Sequence, residues 1–457
     1  MSPPQSRMAE LAATIAQHTE RVNSYLSEKD LPQPSFDADS PVDLGLPSDI
    51  EESRIAVLQA SQELNDLLQR PRDLLFNHQH NLLVYLKLIS RYDIASLVPV
   101  NGELAIKDLA ANIGLDEAAI TRILRLGIAH RIFREPRPGV IAHSAASRQI
   151  ADDARVASWV GANVDEMWPA AEKLVDALEK WPQASEPNHT GFSLAHRTDM
   201  PFYSVLASDP GRARRFAGAM SFFTTGEGYS LRHLTDGYPW DSIPSGTVVD
   251  LGGSQGDAAF ALANKYPSLH LIVQERPEVV ASSKQQDGLD VRFMAHDFFE
   301  EQPLKGADVY YYRWTLHNWP DKYCIKTLRA LVPALKKGAR LLIMDVVMPP
   351  AGVLPNDLDR KLRAMDLTML EIGNAKERDL DEWKALLAGA DARFKFHDLH
   401  QPPGSTFAII EACTSYDFHI VDVSVSNPHN RYHPSSQDRS HQQITLKLWI
   451  PTTHSIS

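Results

Sequence analysis

In the segment VVDLGGSQG an acid and three glycines stand together: Asp250 closes an apolar run, and Gly252, Gly253 and Gly256 follow. Glycines at such a place let the chain turn sharply and let a ligand approach the backbone with no Cβ in the way. Tight strand-to-helix turns also use glycine for purely steric reasons, so a second feature is needed. LHLIVQE supplies one, because its last residue, Glu275, falls nineteen residues after Gly256, where a carboxylate can accept hydrogen bonds from both hydroxyls of a ribose. A third run ends in Asp297, followed by Phe298 and Phe299, types suited to reading an adenine amino group and covering a ring. Two ligands fit, a nicotinamide dinucleotide and S-adenosylmethionine. A helix N-terminus facing a pyrophosphate is badly served by a nearby acid, whereas S-adenosylmethionine has no phosphate but a sulfonium and an ammonium. Asp250 beside the glycines therefore favours S-adenosylmethionine, and Arg313 in YYYRW is a cation for its carboxylate.

The segments DLGGSQG, QERPEVV, HDFF, YYRWTLHNWPD, ARLLIMDVVMPP and NAKERDLDEWKALL, in this order and spacing, resemble the plant- and fungal-type small-molecule O-methyltransferases, especially those of fungal secondary metabolism. The resemblance runs from about residue 55 to Cys413. It implies a Rossmann-like methyltransferase sheet, an N-terminal winged-helix dimerisation domain and no metal. By the same resemblance Gly252, Glu275, Asp297, Phe298 and Arg313 fall on cofactor-binding positions, His317 on the catalytic base, and Asp345 and Glu377 on the two acids flanking it. The chemistry asks for those types. A phenol with a pKa of about 10 is a poor nucleophile at neutral pH, so a base must take its proton as the oxygen attacks, and histidine titrates in the right range. A carboxylate on the other ring nitrogen fixes the tautomer and stabilises the imidazolium. The chain departs from the family at several points. Ser254 stands where a third glycine is usual, Glu275 for Asp, Arg313 for Lys and Asn318 for Asp, while Asp345 is one methylene shorter than the usual Glu.

The elements that must position these residues follow from hydrophobic periodicity. After Pro244 short apolar strands alternate with amphipathic helices, which means βαβ units, a parallel sheet and an α/β class with ligands at the strands' carboxyl ends. Upstream, residues 8–30 predict a helix, and KDLPQPSFDADSPVDLGLPSD reads as a linker, making 1–50 a flexible N-terminal segment. Helices over 53–68 and 82–89 follow from apolar spacing. Residues 103–148 then read as a winged helix-turn-helix, with a turn at Gly114 and a helix capped by Asp116; this places the dimerisation domain at 51–150. A helical connector at 151–235 contributes to the acceptor pocket, the S-adenosylmethionine-binding catalytic domain covers 236–413, and 414–457 forms a polar tail with twelve Ser or Thr and five His.

Composition excludes some functions. The formal charge is −12, and between residues 101 and 140 six bases face five acids, a poor platform for phosphates. No nucleic-acid partner is expected, and with no long apolar run no membrane partner either. Two cysteines in 457 residues point to a reducing, cytoplasmic location. Between Asp345 and Glu377 a helix carrying Met365, Asp366 and Met369 is expected to roof the acceptor. Met365 and Met369, four apart, share a face; Trp168, Phe222, Phe223 and His143 are weaker candidates. The leading reading is O-methylation of a phenol or enol of a polyketide-like aromatic metabolite by a homodimer. A second is a methyltransferase-like pericyclase or dehydratase that keeps the cofactor without methyl transfer, and a third is a winged-helix DNA-binding regulator.

Overall fold

The protein is described by a computed structural model over residues 6–76 and 79–414. The polar tail beyond Thr414, ITLKLWI included, lies outside the described residues. The chain divides into two compact units. One comprises Met1–Gly226 with Asn318–Pro320 and Met348–Asp379, and the other Glu227–His317, Asp321–Val347 and Leu380–Ser457. Segments 318–320 and 348–379, which sequence reading grouped with residues 236–413, thus cluster with the N-terminal unit.

In the first unit the helix Arg7–Glu28 packs on Ser48–Leu68. Ion pairs Arg7–Glu63 at 2.7 Å and Arg21–Asp49 at 2.5 Å join them, and Leu11 and Leu26 are buried. The turn predicted at Gly114 forms with φ 72°, a conformation that ends the helix Ile106–Ile113. Asp116 then caps Glu117–Ala129 by accepting from the Ala119 amide at 2.8 Å. Three short strands, β1 (Leu104–Ala105), β2 (Arg134–Arg137) and β3 (Val140–Ala142), pair antiparallel in the order β1-β3-β2. Ile89, Ile106, Leu109, Leu124, Phe133 and Ile141 fill the core beneath them.

The stretch read as a linker and as part of a flexible segment docks on this wing, because it carries groups the wing needs. Phe36 lies under the Arg131 guanidinium at 4.6 Å, Asp37 pairs with Arg134 at 2.7 Å, and Asp37 bridges to Ser144. Arg125 pairs with Glu135 and Arg137 with Glu103, both at 2.7 Å. Four of the six bases counted in the sequence are therefore occupied within the unit. His143, a weak acceptor-site candidate, is a packed core residue: it is buried, with Nδ1 at 3.0 Å from Ser147 Oγ and Nε2 at 3.0 Å from the Val98 carbonyl. Further on, a π-helical turn, Asn163–Met167, buries Glu166. Its carboxylate accepts from Arg212 Nε at 3.0 Å and Arg215 Nη2 at 2.7 Å.

The second unit is a seven-stranded sheet in the order β6-β5-β4-β7-β8-β10-β9. Its strands are β4 (Thr247–Leu251), β5 (His270–Glu275), β6 (Val291–Ala295), β7 (Val309–Arg313), β8 (Arg340–Asp345), β9 (Phe394–His400) and β10 (Ala408–Thr414). β4 to β8 are parallel, while β10 pairs antiparallel with both β8 and β9. The five parallel strands are those predicted from apolar runs. The last two were not singled out, and the tail boundary at 414 falls on the final residue of β10. From β4 the chain builds outward through β5 and β6, then returns to lay β7 against the other side of β4. That reversal makes a switch point at the carboxyl ends of β4 and β7, where open α/β sheets bind ligands. Val248, Val249, Leu271, Val309, Leu342, Ile343 and Ile410 are wholly buried around it.

Candidate active site

At the end of β4 the backbone enters a loop whose glycines meet three different steric demands. Gly252 and Gly256 have φ of +76° and +84°, and a Cβ on Gly253 would stand 2.5 Å from Asp250 Oδ2. The departure noted in sequence has a visible cost, since Ser254 also adopts a left-handed φ, +51°. Its N–H donates to Glu275 Oε1 at 3.3 Å, and the Arg276 N–H donates to Oε2 at 2.9 Å, so the loop and the end of β5 are tied through that carboxylate. Asp297 is exposed and accepts from the Phe299 amide at 2.9 Å. Phe298 lies 3.6 Å from where a Cβ on Gly252 would stand.

Asp250 is buried, and burial pushes its carboxyl up to about 7, with Arg313 opposing and Glu275 adding to the shift. Arg313 extends from β7, across the switch point. Its Nη2 donates to the Tyr229 carbonyl at 2.9 Å and its guanidinium lies 5.4 Å from the Phe407 ring centre. After Arg313 the chain turns through Trp314, at φ +52°, into the short 3₁₀ turn Leu316–Asn318. The buried His317 ring stacks on Trp314, 5.6 Å between centres and 24° between planes. Asp345, at the end of β8, is wholly buried, and its carboxylate lies within 4.8 Å of a His317 ring nitrogen despite the shorter side chain.

The first unit carries the other candidates. Glu377 is buried, and its N–H donates to Asp366 Oδ1 at 2.9 Å, which fixes that acid against the chain just after the helix Asn356–Gly373. Met369, on the same helix, lines a cavity of about 80 Å³ together with Phe202, Tyr203, Asn318 and Trp319. Met365 and Trp168 do not line it. Phe222 and Phe223 pack on Trp159, at 6.1 and 4.7 Å between ring centres. Arg378, which sequence reasoning passed over, is wholly buried and donates to the Trp319 carbonyl at 2.9 Å.

Comparison with known proteins places this geometry. Residues 189–393 match the family model of the O-methyltransferase domain. The grayanic acid biosynthesis cluster O-methyltransferase of Cladonia grayi is 41% identical over 414 residues, which cover 89% of this chain and 88% of that protein. The chain belongs to the S-adenosylmethionine-dependent O-methyltransferases. The chlorophenol O-methyltransferase of Trichoderma longibrachiatum is 38% identical, with 89% of this chain and 90% of that protein covered. The fold is shared with OxaC in its complex with SAH and oxaline, at a TM-score of 0.69 and 21% identity over 89% of this chain and all of that one.

The methyltransferase cleft fits the cofactor on the chain's own terms. Three buried polar atoms at the carboxyl ends of the sheet's parallel strands have no hydrogen-bond partner among the described residues: Asp250 Oδ2 on β4, Arg313 Nε on β7 and His296 Nε2 just past β6. A buried anion, cation and imidazole left unsatisfied are costly, and a zwitterionic methionyl group with an adenosine offers a partner to each. Sequence reasoning missed the aromatic cluster beside Arg313. Tyr229 stacks on Trp314 at 5.5 Å, and Phe407 meets both rings. Tyr229 lies 84 residues before Arg313 and Phe407 well after it, and only the fold brings them together. No helix among the described residues is long and apolar enough to cross a membrane.

Proposed function

We propose that this O-methyltransferase methylates a phenolic or enolic hydroxyl of an aromatic, polyketide-like secondary metabolite, with His317 as the general base. The observation that carries this reading is the buried His317 ring, stacked on Trp314 and within 4.8 Å of the Asp345 carboxylate, just after β7. The name of the chlorophenol O-methyltransferase, 38% identical, supports a phenolic acceptor.

S-adenosylmethionine would supply an electrophilic methyl on a sulfonium that becomes a neutral thioether once the methyl is given up. Asp250 would face the positive charge of the methionyl end. Glu275 would accept from the ribose hydroxyls, Asp297 and Phe298 would hold the adenine, and Arg313 would pair with the carboxylate. His317 takes the hydroxyl proton during attack. Asp345 would orient the ring and stabilise the imidazolium; Glu377 is the other acid assigned to that role, and Met365, Asp366 and Met369 are the residues assigned to the acceptor. The winged-helix module at 51–150 serves as a homodimer contact, a role its internally paired bases favour over phosphate binding. Both cysteines are free thiols, in keeping with a cytoplasmic enzyme.

The test is to incubate the protein with isotope-labelled S-adenosylmethionine and a set of phenols and follow product mass. A product heavier by one methylene is expected. His317→Gln should slow transfer by roughly 10²- to 10⁴-fold with cofactor affinity kept, and undiminished transfer would remove His317 from the chemistry. An isomerised or dehydrated product with the cofactor unconsumed would replace this reading with the pericyclase or dehydratase one.

A further inference from the structure

At one edge of the seven-stranded sheet three side chains of different chemistry converge. The edge strand β9 pairs with β10 from Ile409↔His400 to Glu411↔Asp398, and again from Ala412↔Phe396 to Thr414↔Phe394, with a shift of register between the two stretches. That shift leaves His397 as an extra residue opposite β10, and a bulge of this kind re-aims the side chain it carries. Glu411 and Cys413, two apart on β10, share a face. A ring nitrogen of His397, a carboxylate oxygen of Glu411 and the sulfur of Cys413 all lie within 4.8 Å of one another.

The acid at the centre is buried but loosely held. Glu411 is 5% exposed, yet His400 Nε2 stands 3.3 Å from its Oε2, Arg340 Nε stands 3.7 Å from its Oε1, and Cys413 Sγ donates to Oε1 at 3.8 Å. The Tyr238 hydroxyl interacts with it as well. Charge-assisted hydrogen bonds are usually about 2.7–2.9 Å long, so this carboxylate has room for a closer cation. Arg340 is engaged elsewhere, its Nη1 donating to the hydroxyls of Tyr238 and Ser242, both at 2.8 Å. In a tetrahedral zinc site, bonds of about 2.0–2.3 Å set donor atoms about 3.3–3.8 Å apart. The sulfur and the carboxylate already stand at that spacing, and His397, whose side chain is exposed, can close the remainder by turning its ring.

We propose that His397, Glu411 and Cys413 form a zinc-binding site, with His400 orienting the carboxylate. Imidazole, thiolate and carboxylate are donor types that zinc takes, and a hydrogen bond to a ligating carboxylate is its usual support. The metal–sulfur bond forms as the thiol proton leaves to solvent, and one thiolate with one carboxylate balances the charge of the ion. Three protein ligands leave a fourth position for water. The ion ties the edge strand β9 to β10. Ala408 pairs with Asp345 at the carboxyl end of β8, and Cys413 pairs with Arg340 at its start. Glu411 and Cys413 therefore lie about 10–17 Å along the sheet from the end that carries Asp345, and the site is distinct from the one that holds His317.

The experiment uses the full chain, stripped with a chelator and titrated with cobalt(II) as a probe for zinc. A thiolate bound to cobalt gives an intense charge-transfer band in the near ultraviolet. The chain has two cysteines, and the other, Cys324, is buried and donates to the Leu316 carbonyl at 3.1 Å. The wild type should develop the band at one cobalt per chain and lose it when zinc is added. Cys324→Ser should keep the band, and Cys413→Ser should abolish it. Zinc affinity, read by competition with a chromophoric chelator, should fall by at least about 100-fold in His397→Ala and by about 10- to 100-fold in His400→Gln. Zinc should raise the Tm of the wild type and leave those of Cys413→Ser and His397→Ala where they are, while metal-free melts of the three proteins agree. Absence of the band in the wild type, a band that survives Cys413→Ser, or zinc affinity unchanged in His397→Ala overturns the site. Zinc binding that none of these variants weakens belongs to other histidines and overturns it too.

Discussion

Two buried carboxylates in this molecule meet opposite fates. Glu166, in the π-helical turn of the first unit, would be pushed up by burial, but hydrogen bonds from Arg212 and Arg215 outweigh it and hold the acid below its ordinary range. Asp250, at the switch point of the sheet, has burial without a matching cation in contact, titrates at about 7 and leaves Oδ2 unsatisfied. The first acid is closed by the chain itself and serves stability. The second is left open, and an open buried anion is the mark of a site that waits for a cation. Removing Glu166 should therefore have the largest effect on folding. Glu166→Gln takes the buried counter-charge from two half-buried guanidinium groups, of which Arg215 keeps Asp165 at 3.1 Å, and is expected to cost about 3 kcal/mol, the lower end for breaking a buried pair, because the Arg212 and Arg215 side chains keep 22% and 31% exposure. Urea denaturation measures it, and cofactor affinity of the folded fraction should not move. A normal melt with lost cofactor binding would reverse the contrast.

Asp250→Asn should do the opposite. Hydrogen bonds to charged groups contribute about 1.5–3 kcal/mol, so S-adenosylmethionine affinity at pH 8 is expected to drop by at least about tenfold in calorimetric titration, while the ligand-free protein is no less stable. The pH dependence has a definite sign. A carboxyl that titrates at about 7 when folded and at 3.8 otherwise keeps its proton in the native state between those values, when the unfolded chain has already lost it. Its contribution to stability is thus greatest below about pH 4, falls as pH rises to about 7 and is flat above. Glu371 is pushed up to about 7 by burial as well, but it is present in both proteins, so the difference between wild type and Asp250→Asn isolates Asp250. Cofactor affinity should rise through pH 7 in the wild type and not in the variant. A rise of equal size in both would assign the titration elsewhere.

How legible each carboxylate was in the sequence follows from the same contrast. Asp250 could be read because its meaning is local, an acid between an apolar strand and a run of glycines, and the parallel strands were equally plain as apolar runs separated by helical periods. Glu166 could not, since nothing in NVDEMW says that Arg212 and Arg215, 46 and 49 residues on, will return to it. The same reason hid Tyr229, Phe407 and the Tyr203–Asn318 bond, all made by residues distant in the chain. β9 was overlooked for another reason: FKFHDLH has His and Asp where a buried strand would carry apolar residues, and it lies at the sheet edge where one face meets water. Phe36 and Asp37 sit in a segment whose Pro and Asp content reads as linker, because composition reports the absence of a core and not the presence of two specific partners.

The smallest effect tests whether strain beside Asp250 belongs to function. Ser254 holds a left-handed φ of +51° in an exposed position, a conformation that costs an L-residue roughly 1–2 kcal/mol and glycine almost nothing. Ser254→Gly removes that cost but gives the unfolded chain more freedom, worth about 0.4–1 kcal/mol. The net gain in stability should therefore be no more than about 1 kcal/mol, a shift of the urea midpoint that is small beside the loss in Glu166→Gln. The N–H that donates to Glu275 Oε1 survives the substitution, so cofactor affinity should change by no more than about twofold. A tenfold change would mean that the strained serine sets the position of Glu275, and that the open side of the molecule, like the closed one, owes its geometry to a fixed internal contact.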